Sequence, residues 1–217
     1  MVLILKDKTF AIKSARLSAT ILDPYWLRRY HPAGDPRLFW SLEVEAEQET
    51  GGEMWEPRAS SDNLHFPVRR WVDVVGQVAE WSEPHDEEWG ELNGVFYVFG
   101  HENISRARLN FPERNGAAFR FEWEGVCDVL WDEDYGRDVP FSASGWAEFT
   151  GVTVLGSESD TDETLRGRLA GYLDPRDFVQ GPLLREGHRY DSGVKMARAV
   201  FTPLGVPAAQ QRRAGDS

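Results

Sequence analysis

The chain has 217 residues, a formal net charge of -12 at neutral pH and a sequence pI near 4.9. That acidic balance argues against a nucleic-acid or anionic-membrane partner, since both need a basic surface to neutralise phosphate. It leaves simple solubility, or a surface built to meet a basic partner. The single cysteine, Cys127, excludes an internal disulfide framework and a cysteine-built zinc site.

The opening Met-Val-Leu-Ile-Leu-Lys is too short for a signal peptide and has neither a basic leading region nor a cleavage site. No apolar run approaches membrane-spanning length, so the expectation is a soluble cytoplasmic protein. Thr9 to Ile21 reads as a strand with Ala11, Ala15, Leu17, Ala19 and Ile21 on one face and Lys13, Arg16 or Ser18 towards water. Asp23-Pro24 ends it, because proline cannot donate to a ladder and restricts the residue before it. Tyr25 to Pro36 follows as an aromatic, basic connection. Leu38 to Gln48 is a strand with Leu42, Val44 and Ala46 opposite Glu43, Glu45 and Glu47; Thr50-Gly-Gly52 breaks it, and Glu53 to Asn63 reads as a loop. Leu64 to Val68 reads as a short strand. Val72 to Trp81 fits either a strand or a short helix, and Ser82 to Glu91 is an acidic turn region.

The clearest alternation lies between Gly94 and Val129. Gly94 to Phe99, Ile104 to Phe111 and Ala117 to Cys127 read as three strands of an antiparallel meander, with Phe119, Phe121, Trp123 and Cys127 on one face. Pro112 to Gly116 is the expected turn between the last two, where Asn115-Gly116 can take the positive φ angles of a tight hairpin. Asp128 to Val139 reads as an acidic loop, and Phe141 to Leu155 as one or two further strands. Ser157 to Asp162 supplies capping side chains for a helix at 161–172. Val194 to Thr202 reads as a closing strand. Residues 1–202 are thus expected to form one β-rich domain, an antiparallel sandwich or closed barrel with one short helix, followed by a disordered tail at 203–217.

Gly181 to Val200 resembles the hairpin that ends the β-barrel domains of translational GTPases, where a Glu-Gly turn is followed by a Gly-rich strand. The resemblance covers about a tenth of the chain and implies a barrel-like ending. No Gly-x-x-x-x-Gly-Lys-Ser/Thr loop occurs in the sequence, so nothing of GTP binding or hydrolysis is implied.

Nine tryptophans are unusually many, and they serve cores or binding surfaces alike. Trp123 and Trp146 fall on alternating strands and are expected in the core. Trp55, Trp81 and Trp89 stand in polar, turn-rich surroundings and are surface candidates. Cys127, inside a predicted strand, is expected to be a buried, inert thiol.

Two acidic segments alternate aromatic anchors with carboxylates: Trp81, Asp86, Glu87, Glu88 and Trp89, then Trp131, Asp132, Glu133, Asp134 and Tyr135. That composition suits docking of a basic, apolar-centred partner, and the leading expectation is a non-catalytic protein-binding module that needs no cofactor. An immunity-type protein that neutralises a basic toxin is its specific form. A metal-assisted hydrolase is the alternative, with His101, Glu102, Asp128 and Asp132 as ligands, joined by Glu133 and Asp134 and by the His85 to Glu88 run. These residues sit on separate turns with no fixed spacing between them. A carbohydrate-binding β domain is the third reading. Glu43 and Glu45, or Glu122 and Glu124, share a strand face about 7 Å apart, which suits a polar face better than a glycosidase pair across a cleft.

Overall fold

The structure is a computed structural model that describes residues 1–22, 37–48, 56–87, 90–98, 100–130, 134–188 and 191–205. Among these residues it contains β1 (Val2–Leu5), β2 (Lys8–Ile21), β3 (Leu38–Ala46), β4 (Arg58–Leu64), β5 (Val78–Trp81), β6 (Val95–Tyr97), β7 (His101–Asn115), β8 (Ala118–Val129), β9 (Gly136–Ser157), α1 (Asp162–Tyr172), β10 (Phe178–Gln180), β11 (Leu184–His188) and β12 (Asp191–Pro203). The strands form a twelve-stranded sheet in the order β1-β2-β3-β4-β6-β7-β8-β9-β12-β10, with β5 on β7 and β11 on β12. Every register that fixes it is antiparallel. The mainly β expectation with one short helix is met.

The chain divides into two compact units. The first comprises Met1–Leu17, Trp40–Phe66 and Val74–Phe149. Here β1 pairs with β9 through Leu5↔Phe141 to Val2↔Ser144 as well as with β2, so the strands close into a ring, which favours the barrel over the sandwich. Closure removes the open edges that would otherwise template aggregation. Inward positions are apolar because side chains alternate along each strand. Trp40, Phe66, Phe111, Phe119 and Phe149 form one aromatic cluster with centroids 5.4–6.4 Å apart. Trp81, Trp123, Phe141 and Phe96 form a second at 5.3–6.3 Å.

The second unit comprises Ser18–Phe39, Pro67–Asp73 and Thr150–Ser217. In it β12 pairs with the end of β9 from Met196↔Ser157 to Phe201↔Val152, and with β10 and β11. Helix α1 buries Leu165 and Leu169. The Thr161 hydroxyl caps it by accepting from the Thr164 amide at 3.3 Å, and Asp162 and Glu163 lie in its positive first turn. Its last carbonyls, Ala170 and Gly171, accept from the Arg69 guanidinium at 3.1 and 2.6 Å. Glu186 and Gly187 pair with Met196 and Lys195 inside the hairpin β11–β12.

Several expectations change. Residues 58–63, expected as loop, form β4 together with Leu64: its Ala59, Ser61 and Leu64 are buried, and the Ser61 hydroxyl donates to the Asn93 carbonyl at 2.6 Å. A strand without β-branched residues carries no propensity signal, and tertiary pairing overrides that. The strand expected at 64–68 stops at Leu64. Val72 to Trp81 splits into a 3-10 turn at Trp71–Val74 and β5. Pro112 lies inside β7 at a register slip between Asn110 and Glu113, a place where a missing N–H is tolerated. The hairpin turn is therefore Gly116-Ala117, with Gly116 at φ +61, the glycine-first pattern of a type II′ turn. In β2 the buried face runs Phe10, Ile12, then Ala15 to Ile21, so Ala11 points outward. Trp146 is half-buried opposite Arg120, since Ala147 and Phe149 take the inward places. The basic connection at 25–36, Trp55 and the tail from 206 lie outside the described residues.

Candidate functional site

Five neighbouring strands of the first unit present one open groove of about 860 Å³ on their outward face. Its construction follows from register. Glu80 pairs with Arg108, Arg108 with Glu124, Glu124 with Ser142 and Ser142 with Ile4, one continuous row across β5, β7, β8, β9 and β1. In the adjacent row Arg106 pairs with Val126 and Val126 with Pro140, whose carbonyl accepts from the Lys6 amide at 2.8 Å. Period-two alternation turns all of these outward while Leu3, Leu5, Leu109, Trp123 and Val139 are buried behind them. Gly125 forms part of the lining, with Ala107, Phe141 and Trp81.

The charges of the two rows differ. Arg108 Nη1 is ion-paired with Glu80, and Glu124 stands opposite Arg108 in register. Arg106 is exposed and has no hydrogen-bond or ion-pair partner among the described residues. Lys6 Nζ donates to the Asp134 carbonyl at 2.6 Å and lies 4.9 Å from the centre of the Tyr135 ring.

Each acidic segment joins a lining residue of this groove, the first at Ser82 and the second at Lys6, while Asp86, Glu87, Asp134 and Tyr135 are not in the lining themselves. The first leaves the end of β5 at Ser82, itself a lining residue, and returns at β6. It is folded by the His85↔Leu92 bridge, the Asp86 amide on the Glu91 carbonyl at 2.8 Å and the Asn93 amide on the Pro84 carbonyl at 2.8 Å. Glu87 is exposed and Asp86 half-buried. Trp81 is half-buried at its base: its Nε1 donates to the Ile104 carbonyl at 3.0 Å and its ring meets the edge of Trp123. The expected surface anchor is thus partly a core residue, because β5 turns Trp81 towards the barrel interior. Asp134 and Tyr135 dock on the Lys6-Asp7 turn, with the Tyr135 hydroxyl donating to Asp7 Oδ1 at 3.1 Å. Glu88, Trp89, Trp131, Asp132 and Glu133 lie outside the described residues.

Of the metal-ligand candidates, His101, Glu102 and Asp128 are among the described residues and Asp132 is not. His101 is exposed at the start of β7 with its ring 5.2 Å from that of Tyr97, and Glu102, the next residue on the strand, turns to the opposite face. Asp128 Oδ1 accepts from the Asp138 amide at 3.2 Å. Among the described residues no group of three His, Cys, Asp or Glu side chains is placed to hold a metal ion. Glu43 is paired with Arg16 at 3.0 Å, Glu45 accepts from Ser14 at 3.1 Å and Glu122 pairs with Arg120 at 3.1 Å, so these carboxylates are tied in cross-strand and same-strand contacts. Cys127 is buried; burial pushes its thiol up to about 12, and the Asp128 and Glu102 carboxylates push the same way. No described helix is long and apolar enough to cross a membrane.

The groove escaped the sequence reading because its residues come from five segments. Only the outward alternation of each strand was visible in advance. No protein-family model, no curated protein and no solved structure matches this chain.

Proposed function

We propose that this chain is a non-catalytic protein-binding module of the cytoplasm whose two acidic segments capture a basic protein partner. The observation that supports the reading is that each acidic segment joins a lining residue of one open groove, Asp86–Glu87 following Ser82 in the chain and Asp134–Tyr135 being held by Lys6. Carboxylates held near a concave surface steer an oppositely charged partner and set its orientation, while half-buried aromatics beside them supply contact area. An immunity-type protein that neutralises a basic toxin enzyme is the specific form of this reading.

The test is affinity capture from lysate of the source organism, comparing the wild type with the triple variant Asp86→Asn, Glu87→Gln, Asp134→Asn. A basic protein retained by the wild type at about 50 mM salt, and released by either the substitutions or about 0.5 M salt, supports the reading. Equal retention by the variant overturns it.

A further inference from the structure

We infer that the groove seats an extended segment of a partner protein that presents two carboxylates, one to Arg106 and one to Lys6, with an apolar side chain between them over Val126 and Pro140. The inference rests on the protein-binding reading and adds the chemistry of the segment recognised.

In a chain of net charge -12, the row Arg106–Val126–Pro140–Lys6 carries two cations and no carboxylate. Arg108, one row away, is neutralised by Glu80. Arg106 has no such partner among the described residues. Lys6 meets a backbone carbonyl and an aromatic face, neither of which bears a negative charge. An exposed guanidinium keeps its fork of donors available for a carboxylate.

Spacing then fits a peptide. The backbones of Arg106 and Lys6 are separated by three inter-strand steps of about 4.8 Å, roughly 14 Å in all. An extended chain places residues i, i+2 and i+4 on one side and covers about 13 Å between the first and the last. Carboxylates at i and i+4 thus reach the two cations while the side chain at i+2 rests on Val126 and Pro140. Glu80 and Glu124 in the neighbouring row repel acidic side chains and hold the segment to the Arg106 row.

The probe is the synthetic pentapeptide acetyl-Glu-Ser-Val-Ser-Glu-amide, titrated into the full chain labelled with nitrogen-15 and followed by amide chemical shifts at low salt. The expected result is saturable shifts at Lys6, Arg106 and Val126, with affinity about tenfold lower for Arg106→Gln and for the peptide carrying Gln at both ends. Arg106 is exposed, so Arg106→Gln keeps the spectrum unchanged away from the groove. Equal affinity for the Glu and Gln peptides, or shifts confined to other residues, overturns the inference. Peptide failure with capture through the acidic segments intact overturns this inference alone; lost capture with the peptide still seated overturns the acidic-segment reading alone.

Discussion

Gly125 packs against Ala107 so closely that a Cβ added at Gly125 would lie 2.7 Å from the Ala107 Cβ and 2.5 Å from the Arg106 carbonyl oxygen. Neither neighbour can move without disturbing the β7–β8 ladder that sets Arg106 opposite Val126. Gly125→Ala is therefore expected to destabilise the chain by about 1–3 kcal/mol through overpacking. It should also displace the Arg106 row. Urea denaturation checks the first effect, and the amide shifts of residues 106 and 126 check the second.

Cys127 should be chemically silent in the native protein. Its thiol is buried and held up to about 12, so almost none is present as the reactive thiolate at pH 8. Ellman's reagent is expected to leave the folded chain unmodified and to titrate a single thiol once the chain is unfolded in guanidinium. Labelling of the native protein at the rate of free cysteine would count against the placement of β8.

Trp81 links the groove to the core. Replacing it with Phe removes the Nε1 donor from the Ile104 carbonyl and reduces the packing against Trp123. The expected cost is about 1–3 kcal/mol, mostly from leaving that carbonyl unsatisfied in a part-buried place. Equilibrium unfolding followed by circular dichroism gives the number; a neutral result would mean that Trp81 is a surface anchor only.

A pH dependence arises in the second unit. The Arg176 guanidinium holds the Asp174 carboxyl down at about 2, aided by the Arg176 amide at 3.0 Å. A folded value below the unfolded one, near 3.9, means that the charged form stabilises the fold above about pH 4 and that this contribution is lost as pH falls towards 2. Asp174→Asn keeps the amide contact but not the charge. Its unfolding midpoint should lie slightly below that of the wild type at pH 6 and converge with it near pH 2. A gap that is constant across that range would show that charge plays no part.

Strand periodicity made much of the fold legible in advance. Alternation in Leu38 to Ala46 and in Ala118 to Val129 is steep enough that burial on one face has a single solution, and α1 announced itself through the capping residues and acids of Ser157 to Asp162, of which the structure uses Thr161 as the cap. The misses have a common cause. β4 is polar and lacks β-branched residues, Pro112 is absorbed at a register slip, and Ala11 changes face where the burial of β2 shifts phase. Each depends on a partner strand distant in sequence, and no local window contains that information.

The candidate site divides along the same line. Sequence alone determined that the chain is acidic, that Asp86, Glu87 and Asp134 lie in segments between strands, and that Cys127 falls on an inward face. Tertiary structure decided that Lys6 clamps the loop of Asp134 and Tyr135 from 128 residues away, that Trp81 turns towards Trp123, and that Arg106 and Lys6 share one row. Composition and alternation are properties of a segment, set by the solvation of each side chain. Which outward residues become neighbours is set by register between strands, and register is a property of the whole closed sheet.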